Sequence, residues 1–407
     1  MNKKISRIIK TAIILALLGF ICPATAQTVA KLHERAIVVD THNDCLTELT
    51  LKGKDITSRL NSGHSDLYRW KKGALDVQFF SVWTDKTPRN AAGFFHDALE
   101  EIDSLHRIIL RNPDRITFGE TYREIRNRAH KDKLVALIGV EGGHMIEEDL
   151  QKLDSLYALG MRYLTLTWNN STSWASSAMD ETLYPEKIKH AGLNDFGKKL
   201  VEHLNELGVI VDLSHTGEKT FYDAIAVSKK PVLLSHSSVW SICPVFRNVK
   251  DDQIKAVAKN GGVICINFYS GFISKEYDQR QAFLLNQKEL LFAKSDTFLA
   301  GLGLSAGSDS AERMVRWNAW YDSSMNAVRP TLEQLVDHID YIVKLVGDRY
   351  VGIGSDYDGV SSVPVGLDDV STYPKITEEL LRRGYSNKSI KRILGGNVMR
   401  VMKANFR

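Results

Sequence analysis

Short apolar runs recur along the chain, and most are followed by a stretch with the 3.6-residue spacing of an amphipathic helix. Runs of this length, rich in Val, Ile and Leu, are typical of strands buried on both faces in a parallel sheet. The predicted strands cover residues 37–39, 75–82, 134–140, 163–167, 209–213, 231–234, 263–268 and 350–354. Eight strands that alternate with helices predict an α/β fold of the (β/α)8, or TIM-type, barrel class.

Several predicted helices have clear end signals. Gly160 and Gly208 each stand where a helical pattern stops, as a glycine at a helix C-terminus does. Asn194 and Thr331 are predicted to cap helices that run to residues 207 and 346. The C-terminal stretch 377–403 is predicted to form two helices that brace the barrel, with a break near residue 384.

One segment breaks the alternation of strands and helices. Residues 270–330 form a connection far longer than an ordinary loop, with a predicted helix at 279–294 and the aromatic residues Trp317, Trp320 and Tyr321. We expect an insertion after the seventh strand. It could act as a lid over the barrel mouth, as the contact of a homodimer, or as a structured bulge with no part in the site.

The first 26 residues are expected to be a signal peptide. Four basic residues precede an apolar run at 11–21, and Ala24-Thr25-Ala26 has the small-x-small pattern of a cleavage site. The apolar run is too short to span a bilayer comfortably. We expect the mature chain, 27–407, to be a single barrel domain without a membrane anchor, exported across the inner membrane to the periplasm.

Charge and cysteine content exclude other classes of protein. The formal net charge of +4 includes the four basic residues of the leader, so the mature chain is near neutral. A basic stripe for nucleic acid is not seen, so no nucleic-acid partner is expected. Cys45, Cys243 and Cys265 are an odd number, which argues against a disulfide framework. Cys45 is interpreted as a small buried residue rather than a metal ligand.

Residues able to bind metal or transfer protons follow five of the predicted strands. They are His42 and Asp44 after the first strand, Glu141 after the third, His215 and His236 after the fifth and sixth, and Asp356 after the eighth. A barrel of this class carries its active site at these strand ends. Residues two apart in an extended chain point the same way, so His42 and Asp44 should project together. The remaining histidines, including His33 and His338, are expected to be mostly solvated.

The number of ligands indicates two metal ions. Each residue alone could have an ordinary structural role, such as a core histidine, a helix cap or a turn residue. Five strand ends that all carry ligand-type side chains favour a metal site instead. One catalytic zinc needs about three protein ligands, whereas this set has four ligands and Glu141, whose two oxygens can bridge two ions. Two ions would trap a bridging hydroxide and polarise a carbonyl group. Asp356 would take the proton of the water and return it to a leaving amine.

The segments that carry these residues resemble the membrane (renal) dipeptidase family, peptidase family M19, of the metal-dependent amidohydrolases. The resemblance runs from about residue 37 to residue 403, apart from 270–330. Its segments are Asp40-Thr41-His42-Asn43-Asp44, Gln78-Phe79, Glu141-Gly142-Gly143-His144, Arg162-Tyr163-Leu164-Thr165-Leu166-Thr167, Asp212-Leu213-Ser214-His215, Ser235-His236-Ser237-Ser238, Arg247-Asn248-Val249 and Gly354-Ser355-Asp356-Tyr357-Asp358-Gly359.

The resemblance implies a zinc-dependent dipeptidase acting on dipeptides with a free C-terminal carboxylate. One zinc ion would be held by His42, Asp44 and Glu141, and the other by Glu141, His215 and His236. The resemblance also implies Asp356 as the acid/base, and Arg247 as the group that binds the substrate carboxylate with its guanidinium.

Trp168 is a departure from the family pattern. The family often has a histidine after the fourth strand that is taken to polarise the substrate, whereas this chain has Trp168. We predict that Trp168 lines the substrate pocket and alters substrate choice. The alternative is that its ring turns away and packs with Trp174.

Two other functions are alternatives for this set of residues. The first is another amidohydrolase activity, such as hydrolysis of lactones or N-acyl-amino acids. Many such relatives bridge their metals with a carboxylated lysine at the fourth strand, where this chain has Trp168, and Glu141 on the third strand favours the dipeptidase. The second is a periplasmic binding protein, which would not need six metal-type and acid/base residues at strand ends.

Overall fold

The sheet of the computed structural model is a closed parallel barrel. The model describes residues 26–85, 91–131, 133–292, 301, 303 and 310–406. In these residues the strands are β1 (Val39–Asp40), β2 (Val77–Val82), β3 (Ile116–Phe118), β4 (Leu134–Glu141), β5 (Met161–Thr165), β6 (Ile210–Asp212), β7 (Leu233–Leu234), β8 (Val263–Ile266) and β9 (Val351–Ile353). All except β3 form the barrel, which closes because β1 pairs with β2 and β9 while β2 pairs with β4. The predicted (β/α)8 fold is confirmed.

The one strand that was not predicted lies beside the barrel. β3 pairs only with the start of β4, where Ile116 is opposite Leu134 and Phe118 is opposite Ala136. Its three residues are too few to show a hydrophobic period, so the sequence pattern could not separate them from a loop.

Helices occupy the connections between strands. The α-helices of the described residues are Ala26–Glu34, Leu67–Lys72, Phe94–Arg111, Tyr122–Arg128, Leu150–Ala158, Ala178–Leu183, Asp195–Leu207, Glu218–Val227, Asp251–Asn260, Ser270–Ile273, Lys275–Phe292, Ser310–Asn326, Leu332–Val346, Pro374–Arg382, Asn387–Lys391 and Asn397–Asn405. The predicted caps are confirmed: Asn194 accepts from the Gly197 N–H, and Thr331 exchanges hydrogen bonds with Gln334. None of these helices is both long and apolar enough to cross a membrane.

The predicted break near residue 384 is confirmed, because one helix ends at Arg382 and the next begins at Asn387, but the second predicted helix is itself interrupted. A π-helical turn, Arg392–Gly396, separates Asn387–Lys391 from Asn397–Asn405. Gly395 lies against the backbone of the first strand region, where an added Cβ would be 2.3 Å from the Ile37 carbonyl oxygen. The backbone of Gly395 is not helical there, so the helix is interrupted at a buried glycine that permits this close approach.

The segment after β8 forms its own small core. Its predicted helix begins earlier than expected, at Lys275, and residues 293 and 294 of the prediction lie outside the described residues. Tyr277, Leu284, Trp317 and Met325 are buried together, apart from the barrel core. Packing between the two long helices of this segment therefore stabilises it locally.

The expectation that the remaining histidines are solvated is wrong for His33 and His338, which are both buried. His338 accepts a hydrogen bond from the Val239 N–H at 3.0 Å and lies 3.0 Å from the Ile273 carbonyl oxygen. Both ring nitrogens are satisfied, so a helical histidine is tolerated in the core. The prediction that Cys45 is a small buried residue is confirmed, and Cys243 and Cys265 are also free and buried.

Candidate metal centre

His42 follows β1, and a contact with Tyr163 fixes the position of its ring. Its Nδ1 atom lies 2.8 Å from the Tyr163 hydroxyl group. Tyr163 can cross the barrel interior because β4 has Gly139 beneath it, where a Cβ would be 1.9 Å from the Tyr163 ring. The Nε2 atom of His42 is left facing Asp44 and Glu141, at 3.4 Å from a carboxylate oxygen of each.

Glu141, the last residue of β4, lies at the centre of the cluster. Its Oε1 atom is 2.9 Å from Nε2 of His215 and 3.3 Å from Nε2 of His236, and its Oε2 atom is 3.4 Å from Nε2 of His42. One oxygen therefore faces His42 and the other faces His215 and His236. Burial alone would raise the pKa of Glu141, but the three facing imidazoles lower it well below its usual range.

His215 and His236 follow β6 and β7 and converge on the same oxygen. Their Nε2 atoms are 2.9 Å apart. The Nδ1 atom of His215 lies 3.0 Å from Asn169 Oδ1, and that of His236 lies 2.7 Å from the Ser235 hydroxyl oxygen. A proton on each Nδ1 leaves both Nε2 lone pairs directed at the cluster, which is the tautomer that binds a metal.

The side chains present form a candidate metal site. In the described residues, His42, Glu141 and His236 form one group whose ligand atoms lie within 4.8 Å of one another, and His42, Asp44 and Asp356 form another. Nε2 of His42 and Oδ1 of Asp44 are buried and have no hydrogen-bond partner there. A cation between the facing imidazole and carboxylate groups would satisfy these atoms.

The charge states of the histidines agree with this fit. Burial, and next the charge of Arg247, lower the pKa of His215 to about 3. Burial also lowers the pKa of His236 well below its usual range, so both imidazoles are neutral near pH 7. Burial would lower the pKa of His42 as well, but Tyr163, Asp44 and Glu141 raise it well above its usual range. An environment that attracts a proton so strongly also attracts a metal cation.

Asp356 follows β9 in a left-handed backbone conformation. Its φ angle is +61°, which is uncommon for a residue other than glycine. Asn267 donates a hydrogen bond from Nδ2 to Asp356 Oδ2 at 2.7 Å. Burial, and next the Asp44 carboxylate, raise the pKa of Asp356 well above its usual range.

Arg247 is a buried cation, and one nitrogen of its guanidinium group has no hydrogen-bond partner among the described residues. Its Nη2 donates to the His236 carbonyl oxygen at 3.3 Å, and its guanidinium lies 5.4 Å from the ring centre of Phe272. Nη1 is buried and has no hydrogen-bond partner among the described residues. Burial lowers the pKa of Arg247 only to about 10, so the side chain is charged at neutral pH.

A cavity of about 420 Å³ opens onto these residues. Trp168 lies in its wall, with its ring centre 4.7 Å from that of Trp83 and 6.3 Å from that of His215. Trp174 is buried elsewhere, 5.8 Å from the ring of Phe196. The alternative in which Trp168 packs with Trp174 is therefore wrong.

Sequence reasoning missed the residues that support the cluster. Asn169, Asn267 and Ser235 each contact a predicted site residue. Ser235 and Asn267 directly follow β7 and β8, and Asn169 lies four residues after the end of β5. The rule that active-site residues lie at strand ends would have found them if amides and hydroxyls had been searched along with metal ligands.

The comparisons with known proteins agree with this geometry. A family model described as membrane dipeptidase (peptidase family M19) matches residues 26–406. An uncharacterised dipeptidase of Schizosaccharomyces pombe is 32% identical over 395 residues, which cover 93% of this chain and 82% of that protein. Dipeptidase 3 of Mus musculus is 32% identical over 393 residues, which cover 92% of this chain and 66% of that protein.

The fold also matches a solved structure. The probable dipeptidase PvdM from Pseudomonas aeruginosa superposes with a TM-score of 0.74 and covers 93% of this chain and 97% of its own. At 24% sequence identity, this match concerns the fold alone.

Proposed function

Because the chain belongs to the membrane dipeptidase family, peptidase family M19, and is a metallo-dipeptidase, we propose that it cleaves dipeptides at a centre of two zinc ions. The observation that carries the proposal is the position of Glu141. One of its oxygens faces His42, at 3.4 Å from Nε2, and the other faces His215 and His236, at 2.9 and 3.3 Å.

The donor atoms suit zinc. Imidazole nitrogens and carboxylate oxygens are its usual ligands in catalytic sites. We assign His42, Asp44 and Glu141 to one ion and Glu141, His215 and His236 to the other. When bound, the ions would supply Lewis acidity and a water of lowered pKa.

Asp356 is proposed to move the protons of the reaction. Its carboxyl group lies beside Asp44 and His42, and Asn267 holds Oδ2 in place at 2.7 Å. A carboxylate oriented in this way can accept a proton from the attacking water and then deliver it to the amine that leaves. The amide of Asn267 fixes the direction in which the carboxylate faces.

Arg247 is proposed to bind the C-terminal carboxylate of the substrate. A buried guanidinium with an unused nitrogen requires an anionic or polar partner. Two parallel hydrogen bonds to a carboxylate satisfy that requirement. Trp168 and Trp83 form an aromatic part of the cavity wall and should favour small side chains such as those of Gly and Ala.

The test compares Ala-Ala with alanyl-alaninamide, which lacks the terminal carboxylate. We expect the zinc-loaded protein to hydrolyse Ala-Ala and to act poorly on the amide. Arg247→Ala should mainly raise KM for Ala-Ala, since the contact is made in the ground state and the transition state alike. Equal activity on the two substrates would contradict the proposal.

We also propose that residues 1–26 are a signal peptide and that the mature domain, 27–407, works in the periplasm. The basic start, the apolar run and the small residues before Gln27 support this proposal. N-terminal sequencing of the exported protein should begin at or near Gln27.

A further inference from the structure

Glu48 is a carboxylate of the cavity that the proposed chemistry does not use. Four carboxylates of the described residues line this cavity, namely those of Asp44, Glu48, Glu141 and Asp356. Three of them belong to the metal centre or move protons. Glu48 lies one turn after Asp44, in the π-helical turn Leu46–Thr50, and its side chain is 36% exposed.

The fold makes little use of this carboxylate. Among the described residues, its recorded side-chain partner is Lys52, four residues later, whose side chain is 59% exposed. Exposed ion pairs of this spacing contribute little to stability, because water and salt screen them. A cation that enters the cavity can therefore replace Lys52 at small cost.

Glu48 and Arg247 give the cavity two oppositely charged sides. Glu48 follows β1 and Arg247 follows β7, and in the barrel β9 and β8 lie between these two strands. Asp356, which follows β9, therefore lies between the two charges in the order around the barrel. An extended dipeptide is about 7 Å long, with an ammonium group at one end and a carboxylate at the other.

We propose that Glu48 binds the free α-ammonium group of the dipeptide. The inference rests on the proposed function, in which Arg247 receives the other end of the substrate. With both ends bound, the peptide bond lies near Asp356 and the metal ligands. The site therefore selects substrates with both termini charged, and it disfavours N-acyl-amino acids, whose N-terminal side carries no charge.

The experiment compares Ala-Ala with N-propanoyl-alanine, which differs from it by the loss of the amino group. Glu48→Gln keeps the size of the side chain and removes its charge. We expect kcat/KM for Ala-Ala to fall about ten-fold, mainly through KM, because a charge-assisted hydrogen bond is lost. The value for N-propanoyl-alanine should change less than about two-fold. If this analogue turns over too slowly, its inhibition constant against Ala-Ala takes the place of kcat/KM.

Lys52→Met is the matched control, because it removes the ion pair and leaves the carboxylate in place. It should keep or improve kcat/KM for Ala-Ala. Equal losses on both substrates in Glu48→Gln, or the same loss in Lys52→Met, would overturn the role of Glu48 while leaving the dipeptidase proposal intact. If the zinc-loaded wild type fails to hydrolyse Ala-Ala, the proposed function falls and this inference falls with it.

Discussion

Asp212 holds Ser235 through two hydrogen bonds, from the serine N–H at 2.8 Å and from its hydroxyl group at 2.6 Å. Asp40 holds Ser355 through the same two contacts, at the same 2.8 and 2.6 Å. Both aspartates are fully buried at the end of a barrel strand, and each serine follows the end of a neighbouring strand. The barrel thus has the same pair of aspartate–serine hydrogen bonds at two places, and each pair fixes neighbouring strand ends.

The residue after each serine carries proposed chemistry, His236 in one case and Asp356 in the other. The Ser235 hydroxyl group donates to Asp212 and lies 2.7 Å from Nδ1 of His236. The hydroxyl oxygen therefore accepts a hydrogen bond from the Nδ1–H group of His236 and orients the imidazole. Mutation of a residue that hydrogen-bonds to a metal-binding histidine commonly lowers metal affinity or activity ten- to a hundred-fold.

Ser235→Ala should therefore weaken zinc binding at the histidine side of the centre by about ten- to a hundred-fold. Titration of the protein with a chelator of known zinc affinity measures this change. The matched variant Ser355→Ala should affect zinc less and kcat more, because Ser355 precedes Asp356. Identical zinc affinities for Ser235→Ala and the wild type would show that the contact does not position His236.

Asp356→Asn should keep both zinc ions and lose turnover. The amide side chain has nearly the same shape but cannot accept and return a proton. General acid–base catalysis contributes about 10²–10⁴-fold, so kcat should fall by at least about 100-fold. Zinc content is measured on the same sample. A variant within about ten-fold of wild-type kcat would exclude the role in proton transfer.

Trp168 should determine which dipeptides are accepted. The indole N–H can donate a hydrogen bond but cannot accept one or carry a charge, and its ring narrows the cavity beside Trp83. Trp168→Ala should raise kcat/KM for dipeptides with large side chains relative to kcat/KM for small dipeptides. A change of about ten-fold in this ratio is expected for such a change in a pocket. Trp168→His is the second variant. Parent-like rates and ranking in both variants would make Trp168 a packing residue.

His338 should make stability depend on pH. Burial lowers its pKa to about 4, whereas the unfolded chain has the ordinary value near 6.5. Between these values the unfolded state binds more protons, so the contribution is complete above pH 6.5 and is lost as the pH falls to 4. The loss amounts to about 3 kcal/mol of unfolding free energy.

Denaturant unfolding of metal-free protein at several pH values checks this prediction. His338→Gln lacks the titrating group, so the stability difference between wild type and variant should shrink by about 3 kcal/mol from pH 6.5 to 4. The difference between wild type and variant separates this effect from protonation of the proposed metal ligands, which titrate alike in both proteins. A difference that stays constant with pH would contradict the prediction.

The barrel strands could be predicted from the sequence because each is a short apolar run buried on both faces, as at 134–140 in β4. The fold class predicted that side chains such as His42 and Glu141, which follow different strands, meet at one end of the barrel. The Asp212–Ser235 contact could not be predicted in this way. It joins polar residues 23 positions apart, and serine and aspartate are common in ordinary turns.

Zinc content of the purified protein tests the central claim most directly. Wild-type protein, loaded with zinc and freed of excess, should contain about two zinc ions per chain. His215→Ala, which removes a proposed ligand of one ion, should lose metal and dipeptidase activity together. A wild-type protein that contains no metal, and gains no dipeptidase activity when zinc is added, would contradict the account.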